Sequence, residues 1–341
     1  MRGSVRVGVY IGNQRPKGTD MRDALAEQIR EVRSVRDQGW DSIWTGQHFL
    51  TDSSSQLSTI VTLTRLAHEA GDMHIGIGLL LPLLNPVEVA ENAASLDVVT
   101  GGRLILGLGI GYRQVEYDAF GVPKTESARR FAANVRIVDE LLQGKTVDAD
   151  YPWCTLNGAS ISVAPVQSPR LPLWIGANSD AGVRRAARMA DAWLINPHAP
   201  LSTVTRQIGI FREERQKHGL PPASTVPLFR EVVCASTAEQ AQDLAQRFLG
   251  EKYKAHSAWG QDQVLPDGDS FDRSFDDLAG QRFVVGDPGQ CLQTLLAWRQ
   301  ATGANHFLFR VHYAGMPAET AAESLRLLSA EVLPELRRID P

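Results

Sequence analysis

Cysteine is scarce: Cys154, Cys234 and Cys291 are the only three in a chain of 341 residues. No C-x-x-C occurs, so neither a disulfide framework nor a zinc ribbon is readable. That usage suits a reducing compartment, and a cytoplasmic location is expected. Long apolar runs are also missing. None approaches the roughly 18 residues that a membrane-spanning helix needs, so no membrane association is expected. Arg2 and Arg6 are not followed by the apolar core of a secretory signal. Neither sign of charge prevails, with 35 Lys+Arg against 39 Asp+Glu and a net charge of −4. At pI ≈ 6.1 there is no basic footprint for nucleic acid. The catalytic motifs that announce themselves are absent as well: no Walker loop, H-E-x-x-H, G-x-S-x-G or carboxylate-rich metal loop. No pair of histidines has ligand spacing, and no metal site is expected.

What is there is ordinary globular material, 43% apolar and 22% charged. Its length suits two average domains or one large α/β barrel. Short apolar runs alternate with longer segments of helical period. Val5, Val7 and Val9 begin a strand; Leu25, Ile29 and Val32 then recur at helix spacing, with Asp20 as N-cap and Gly39 at the end. Ser42–Thr45 is a second strand, and a helix follows Ser53-Ser54-Ser55. His74 to Leu81 is almost continuously apolar, as in a strand covered on both faces. Asn85-Pro86 opens a helix through Val99, Leu104–Leu108 is strand four, and Ser127–Leu142 is helical. Trp153 to Val163 reads as a small hairpin. Leu173–Ile175, Ala192–Ile195, Leu228–Cys234 and Phe307–Val311 complete eight strands, with helices beginning near Ser179, Pro200, Thr237 and Pro317. Eight strands in βα alternation predict a single (β/α)8 TIM barrel over residues 1–341, with insertions in its βα loops. A doubly wound open sheet is the rival, but it usually stops at five or six strands.

Residues 249–282 break the repeat. They are polar, with Tyr253, Trp259, Phe271 and Phe275 scattered among them. The stretch reads either as a surface excursion or as a lid over the barrel mouth.

Active sites of such barrels lie where strands end and βα loops begin. Strand two ends in Gln47-His48-Phe49, where a histidine can donate to a ligand or move a proton at neutral pH. Strand four ends in Gly107-Leu108-Gly109-Ile110-Gly111-Tyr112-Arg113. These glycines admit either a flat ring close to the backbone or tight packing inside the barrel. Gln114 to Phe120 is not an obvious amphipathic helix, which counts against a dinucleotide fingerprint. The strongest local signal is Gly176-Ala177-Asn178-Ser179, where a strand turns into a helix start and leaves amides for a phosphate. Ser179 as a plain helix cap explains the same residues. Arg129 and Arg130 are candidates for the counter-charge, and His198 and His312 follow strands six and eight as candidate cavity residues.

Taken in order, these pieces resemble the bacterial luciferase-like, flavin-dependent monooxygenase and oxidoreductase superfamily. The matching segments are Gly39-Trp40-Asp41-Ser42-Ile43-Trp44 with Gln47-His48-Phe49, Asn85 to Glu91, Leu96 to Arg103 leading into Gly107-Leu108-Gly109, Pro172 to Ser179 with Arg184 to Trp193 after it, Val285 to Pro288 and Gly315-Met316-Pro317. The resemblance implies a TIM barrel that holds FMN, or the deazaflavin F420, at its C-terminal mouth. Gly176, Ala177, Asn178 and Ser179 would hold the phosphate with Arg129 or Arg130. Gly78, Leu79 and Leu80 would lie behind the ring, through a non-prolyl cis peptide in many members, and Gly109 near the ring or ribityl chain. His48 would be the catalytic group, with Gln47, Tyr112, His198 and His312 around the substrate. Where the luciferases proper have two histidines, this chain has Gln47-His48, so light emission is not expected. The implied activity is oxygenation of a small organic substrate by reduced FMN and O2, the reduced flavin coming from a separate reductase. An F420-dependent hydride transfer and a non-catalytic flavin-binding barrel are the alternatives, and a homodimer is expected.

Overall fold

A computed structural model describes residues 5–52, 54–261, 264–266 and 269–338. Arg2, Ser53 and, within 249–282, positions 262–263 and 267–268 lie outside the described residues. The eight expected strands form β1 (Arg6–Tyr10), β2 (Ser42–Gly46), β3 (His74–Leu80), β4 (Leu104–Gly109), β5 (Leu173–Ala177), β6 (Ala192–Ile195), β7 (Pro227–Cys234) and β8 (His306–Arg310). Each pairs in parallel with the next, and Val7 opposite Phe307 joins β8 back to β1. The sheet closes, so the fold is the (β/α)8 barrel and the open sheet is excluded.

Helices fill the alternation: α1 (Met21–Asp37), α2 (Thr59–Ala67), α3 (Pro86–Val99), α4 (Gln114–Ala119), α5 (Ser127–Leu142), α6 (Asp180–Met189), α7 (Leu201–Lys217), α8 (Ala238–Ala258) and α9 (Phe275–Arg282), with two more flanking β8 at Pro288–Thr302 and Ala318–Leu327. Their starts are set by the predicted caps. Asp20 accepts from the Arg22 amide, Asn85 from Val87, Ser179 from Gly182 and Thr237 from Gln240.

Two cores result. The larger lies between strands and helices and is built from residues such as Val7, Ile43, Ile75, Leu106, Ile175 and Phe307. The barrel interior is smaller: Trp44, Ile105, Trp174, Ala192, Phe229 and Leu308. Trp44 and Trp174 stack at 4.9 Å, and His306 meets both edge-on with its Nε2 3.1 Å from Ser42 Oγ. At the N-terminal ends of the strands, three aspartates fasten the wall. Asp41 Oδ2 accepts from the Val7 amide (2.7 Å), Asp97 Oδ1 from Leu104 (3.3 Å) and Asp191 Oδ2 from Leu173 (2.8 Å).

Four departures from the sequence reading matter. The hairpin pairs Val147–Tyr151 with Cys154–Ala159, so Trp153 sits in its turn, where Nε1 donates to Asn134 Oδ1 (2.9 Å). Gln114–Ala119 is a helix after all, too short to show a period but able to bury Glu116 and Tyr117. An unexpected ribbon pairs Gln14–Pro16 with Ser54–Gln56. Finally, residues 249–258 continue α8 rather than begin a new excursion. Tyr253 and Phe271 join Phe248, Leu278 and Phe283 in a separate core beside the mouth.

Candidate active site

Side chains alternate along a strand, so each barrel strand sends every second residue inward. With Trp44, Ile105, Trp174, Phe229 and Leu308 inside, the next inward positions toward the mouth are Gly46, Gly107, Gly176, Glu231 and Arg310. Tyr10 from β1 packs against the same interior. The mouth is thus bare over β2–β5 and polar over β7, β8 and β1.

The glycines are bare for different reasons. A Cβ on Gly76 or Gly107 would land 2.0 Å from Trp44 Cδ2 or 2.7 Å from the Ile77 carbonyl, so packing forbids side chains there. Gly111 has φ +79°, a left-handed conformation. At Gly78, Gly109 and Gly176 nothing in the protein requires glycine, because a Cβ would find its nearest atom at 3.6, 3.8 and 3.5 Å. Those three positions leave a cradle that side chains would fill.

The non-prolyl cis bond implied for the end of β3 is not there; the cis peptide of the described chain is Ser168–Pro169. Instead the chain turns at Leu80 (φ −87°, ψ 76°) into a 3-10 turn, Leu81–Leu83. Gln47 fixes this corner: its amide donates to the Gly78 carbonyl (2.9 Å) and its Oε1 accepts from the Leu80 amide (3.1 Å).

His48 is held from behind. Its Nδ1 lies 3.0 Å from Glu116 Oε1, which also accepts from the Phe49 amide (2.8 Å) and Arg113 Nη1 (3.4 Å). The Glu116 side chain is fully buried, while that of His48 keeps 22% exposure. A carboxylate only accepts, so this pairing places the proton on Nδ1 and leaves Nε2 for the mouth. Arg113 also donates to the Phe49 and Leu50 carbonyls (2.6 and 3.0 Å) and lies 4.3 Å from the Trp259 ring centre. Tyr112 meets the His48 ring edge-on at 5.8 Å. Its hydroxyl is buried without a partner, and burial, then the Glu116 charge, pushes the phenol pKa up.

At the end of β5, Ser179 Oγ accepts from the Gly182 amide (3.2 Å), so it caps α6 and keeps its own proton to donate. The loop is braced by Asn196 Nδ2 to Asn178 Oδ1 (2.8 Å) and Gln207 Nε2 to the Asn178 carbonyl (2.7 Å). The first amides of α6, at Asp180 and Ala181, have no intrahelical acceptor by construction. Arg129 and Arg130 lie over Trp153, with guanidinium carbons 5.4 and 4.7 Å from its ring centre. Arg130 Nε is buried without a partner, and burial lowers the pKa of that guanidinium.

A cavity of about 190 Å³ opens between β1, β8 and α8, lined by Asn13, Lys252, His256, Trp259, Arg310 and His312 among others. Of the sequence candidates only His312 lines it, fixed by Glu31 Oε2 (3.3 Å) and the Met316 carbonyl (3.2 Å). His198 is elsewhere. It is buried beside Tyr253 and Phe271, hydrogen-bonded to Gln261, and burial pulls its pKa far down. Lys252 forms an ion pair with the buried Glu231. Burial first, then the charge of Arg310, lowers the ammonium to about 7. Arg310 covers the Tyr10 ring at 4.2 Å.

Sequence reasoning missed Glu116, Arg113, Lys252 and Arg310. Arg310 was findable as the last inward residue of β8; Glu116 and Lys252 carry no signal until the helices are placed. Among the described residues no group of three or more His, Cys, Asp or Glu can hold a metal, and no helix is long and apolar enough to cross a membrane.

A closed barrel with a glycine-floored mouth and a helix start at its rim is the frame of a coenzyme-binding oxidoreductase. Residues 5–306 match the model of the luciferase-like monooxygenase family, and the chain belongs to that family. It is 22% identical to the oxygenase component of a flavin-dependent trigonelline monooxygenase from Acinetobacter baylyi, covering 97% of this chain and 95% of that one. Among solved structures it is similar to monooxygenase RslO1 from Streptomyces bottropensis, with TM-score 0.86, 19% identity and coverage of 97% and 99%. An F420-dependent secondary alcohol dehydrogenase, in complex with an F420-acetone adduct, superposes with TM-score 0.79 at 16% identity, covering 98% of this chain and 100% of that one.

Proposed function

We propose that the protein oxygenates a small organic substrate with reduced FMN and O2, the reduced coenzyme being delivered by a separate reductase. The observation that carries this reading is the cradle at Gly78, Gly109 and Gly176, where side chains are missing though protein packing does not require it. The relative named as an oxygenase component, aligned over nearly the whole chain, favours oxygenation and a two-component arrangement.

Each residue then has a task. The amides of Gly176–Ser179 and the start of α6 bind the phosphate, with Arg129 or Arg130 offsetting its charge. Gly78, Leu79, Leu80 and Gly109 form the surface beneath the ring, and Gln47 keeps that surface in place. When bound, a reduced flavin supplies the electrons that activate O2. His48 holds or delivers a proton at Nε2 while Glu116 and Arg113 fix its ring. Trp259 and His256, stacked at 5.5 Å on the end of α8, cover the mouth as part of a lid and exclude water.

The test is a pair of calorimetric titrations, with FMN and with F420, each oxidised and reduced, followed by oxygen-uptake assays. FMNH2 binding with flavin-dependent oxygen uptake supports the reading. F420 binding with hydride transfer replaces it by the dehydrogenase alternative, and stoichiometric binding without turnover by a flavin carrier. Binding of neither coenzyme overturns it.

A further inference from the structure

The polar side of the mouth gathers two buried cations, Arg310 and Lys252, around one buried carboxylate, Glu231. Arg310 is the last inward residue of β8, at the wall of the 190 Å³ cavity. Its Nε is buried without a hydrogen-bond partner, while the guanidinium lies over the Tyr10 and Phe229 rings within the field of Glu231. The neighbouring carboxylates already have partners, although Glu231 Oε2 and Glu31 Oε1 accept no hydrogen bond. Glu231 holds Lys252, Glu251 holds Lys254 at 2.8 Å on the rim, and Glu31 holds His312 at 3.3 Å. Arg310 and Lys252 thus share Glu231, whose charge raises the guanidinium pKa against its burial. Two buried cations on one carboxylate leave room for a second anion, and a guanidinium offers a fork of donors matched to a carboxylate.

We propose that the cavity beside β1 and β8 binds the acidic group of the substrate, and that the substrate class is a small carboxylic acid anchored by Arg310 with Lys252 beside it. The remaining walls suit a compact apolar body: Phe248, Tyr313 and Trp259 line the same space. Its size is that of a single ring, since an engineered cavity of about 150 Å³ admits benzene. The acid site lies beside β1 and β8, on the far side of the strand ring from the β5 turn. Calling this ligand the substrate rests on the flavin-dependent reading above; the anion site does not.

The experiment titrates the purified protein by calorimetry with three acids and their neutral amides: benzoate and benzamide, phenylacetate and phenylacetamide, hexanoate and hexanamide. At least one acid is expected to bind ten-fold or more tightly than its amide. Arg310→Met should abolish that preference, and Arg310→Lys should restore part of it, while FMNH2 affinity stays within two-fold in both. Melting temperatures of the variants check folding, and the acid–amide comparison on the unaltered protein needs no variant. Equal binding of acid and amide, or no binding of any acid up to 10 mM (roughly 2.7 kcal/mol or less at 1 M standard state), overturns the proposal. So does loss of FMNH2 affinity with the acid preference intact in Arg310→Met, which would give the charge to the coenzyme. Acid binding without any flavin binding would keep the anion site and refute the flavin-dependent reading instead.

Discussion

Glu116→Gln separates a working His48 from one that is merely well packed. Oε1 of Glu116 takes hydrogen bonds from His48 Nδ1 (3.0 Å) and the Phe49 amide (2.8 Å), and Oε2 is buried without a partner. Glutamine keeps both acceptor bonds through its carbonyl and removes the charge. Bonds to a charged group contribute about 1.5–3 kcal/mol and neutral ones about 0.5–1.5, so two of them lose about 2 kcal/mol together. The amide NH2 replaces an oxygen that had no partner, adding about 1 kcal/mol of unpaired donor. At roughly 2 °C per kcal/mol for a chain this large, the melting temperature should fall about 4–6 °C. If His48 passes through a protonated state in the slow step, its share of about 1 kcal/mol also falls on the transition state and lowers turnover about 5-fold. The assay is FMNH2-dependent turnover at saturating coenzyme, measured in Glu116→Gln, His48→Ala and the double variant. In the His48→Ala background the glutamine should leave turnover unchanged, because its effect runs through the ring. A lowered melting temperature with turnover within two-fold of the parent would refute the reasoning and make the pair structural.

Two glycines of one strand should behave oppositely: Gly76→Ala drives a methyl into Trp44 and should destabilise severely, whereas Gly78→Ala should fold normally but weaken coenzyme binding, both read by thermal melts and titration. Ser179→Asp should weaken coenzyme affinity at least ten-fold, by placing a carboxylate against the phosphate; unchanged affinity would return Ser179 to capping alone. His306 is held neutral by burial, its pKa lowered to about 3 from 6.5. The unfolded chain therefore binds the extra proton between those values, so stability should fall as pH drops from about 6.5 toward 3. Denaturant titrations at pH 7 and pH 4.5 should show this loss, and His306→Gln should flatten that part of the profile.

Much of the barrel was legible because βα alternation writes itself in apolar periodicity and caps. Asp20, Asn85, Ser179 and Thr237 each mark their helix start in one dimension. The family resemblance was legible too, yet several of its segments describe scaffolding. Asp41, Asp97 and Asp191 serve the strand ends opposite the mouth. The glycine run of β4 was only half readable, because whether a glycine relieves a clash or leaves a space depends on its neighbour across the strand. Trp44 decides that for Gly76, and the Ile77 carbonyl for Gly107. Glu116 was illegible in principle: a six-residue helix has no period to detect, and burial of its carboxylate depends on Phe49 and Arg113, which reach it only in three dimensions. Lys252 was hidden for a similar reason, since a lysine in a polar stretch gives no hint that α8 carries it onto Glu231.

The aspartates beneath the barrel have a consequence for descent. Because the staves are riveted at one end by Asp41, Asp97 and Asp191, the opposite rim is free to vary without loosening the vessel. Solved structures at 16–19% identity that keep the same fold are what such a construction allows. New reactions can arise by rewriting rim elements such as α8 and its lysine, one substitution at a time, over an unaltered keel.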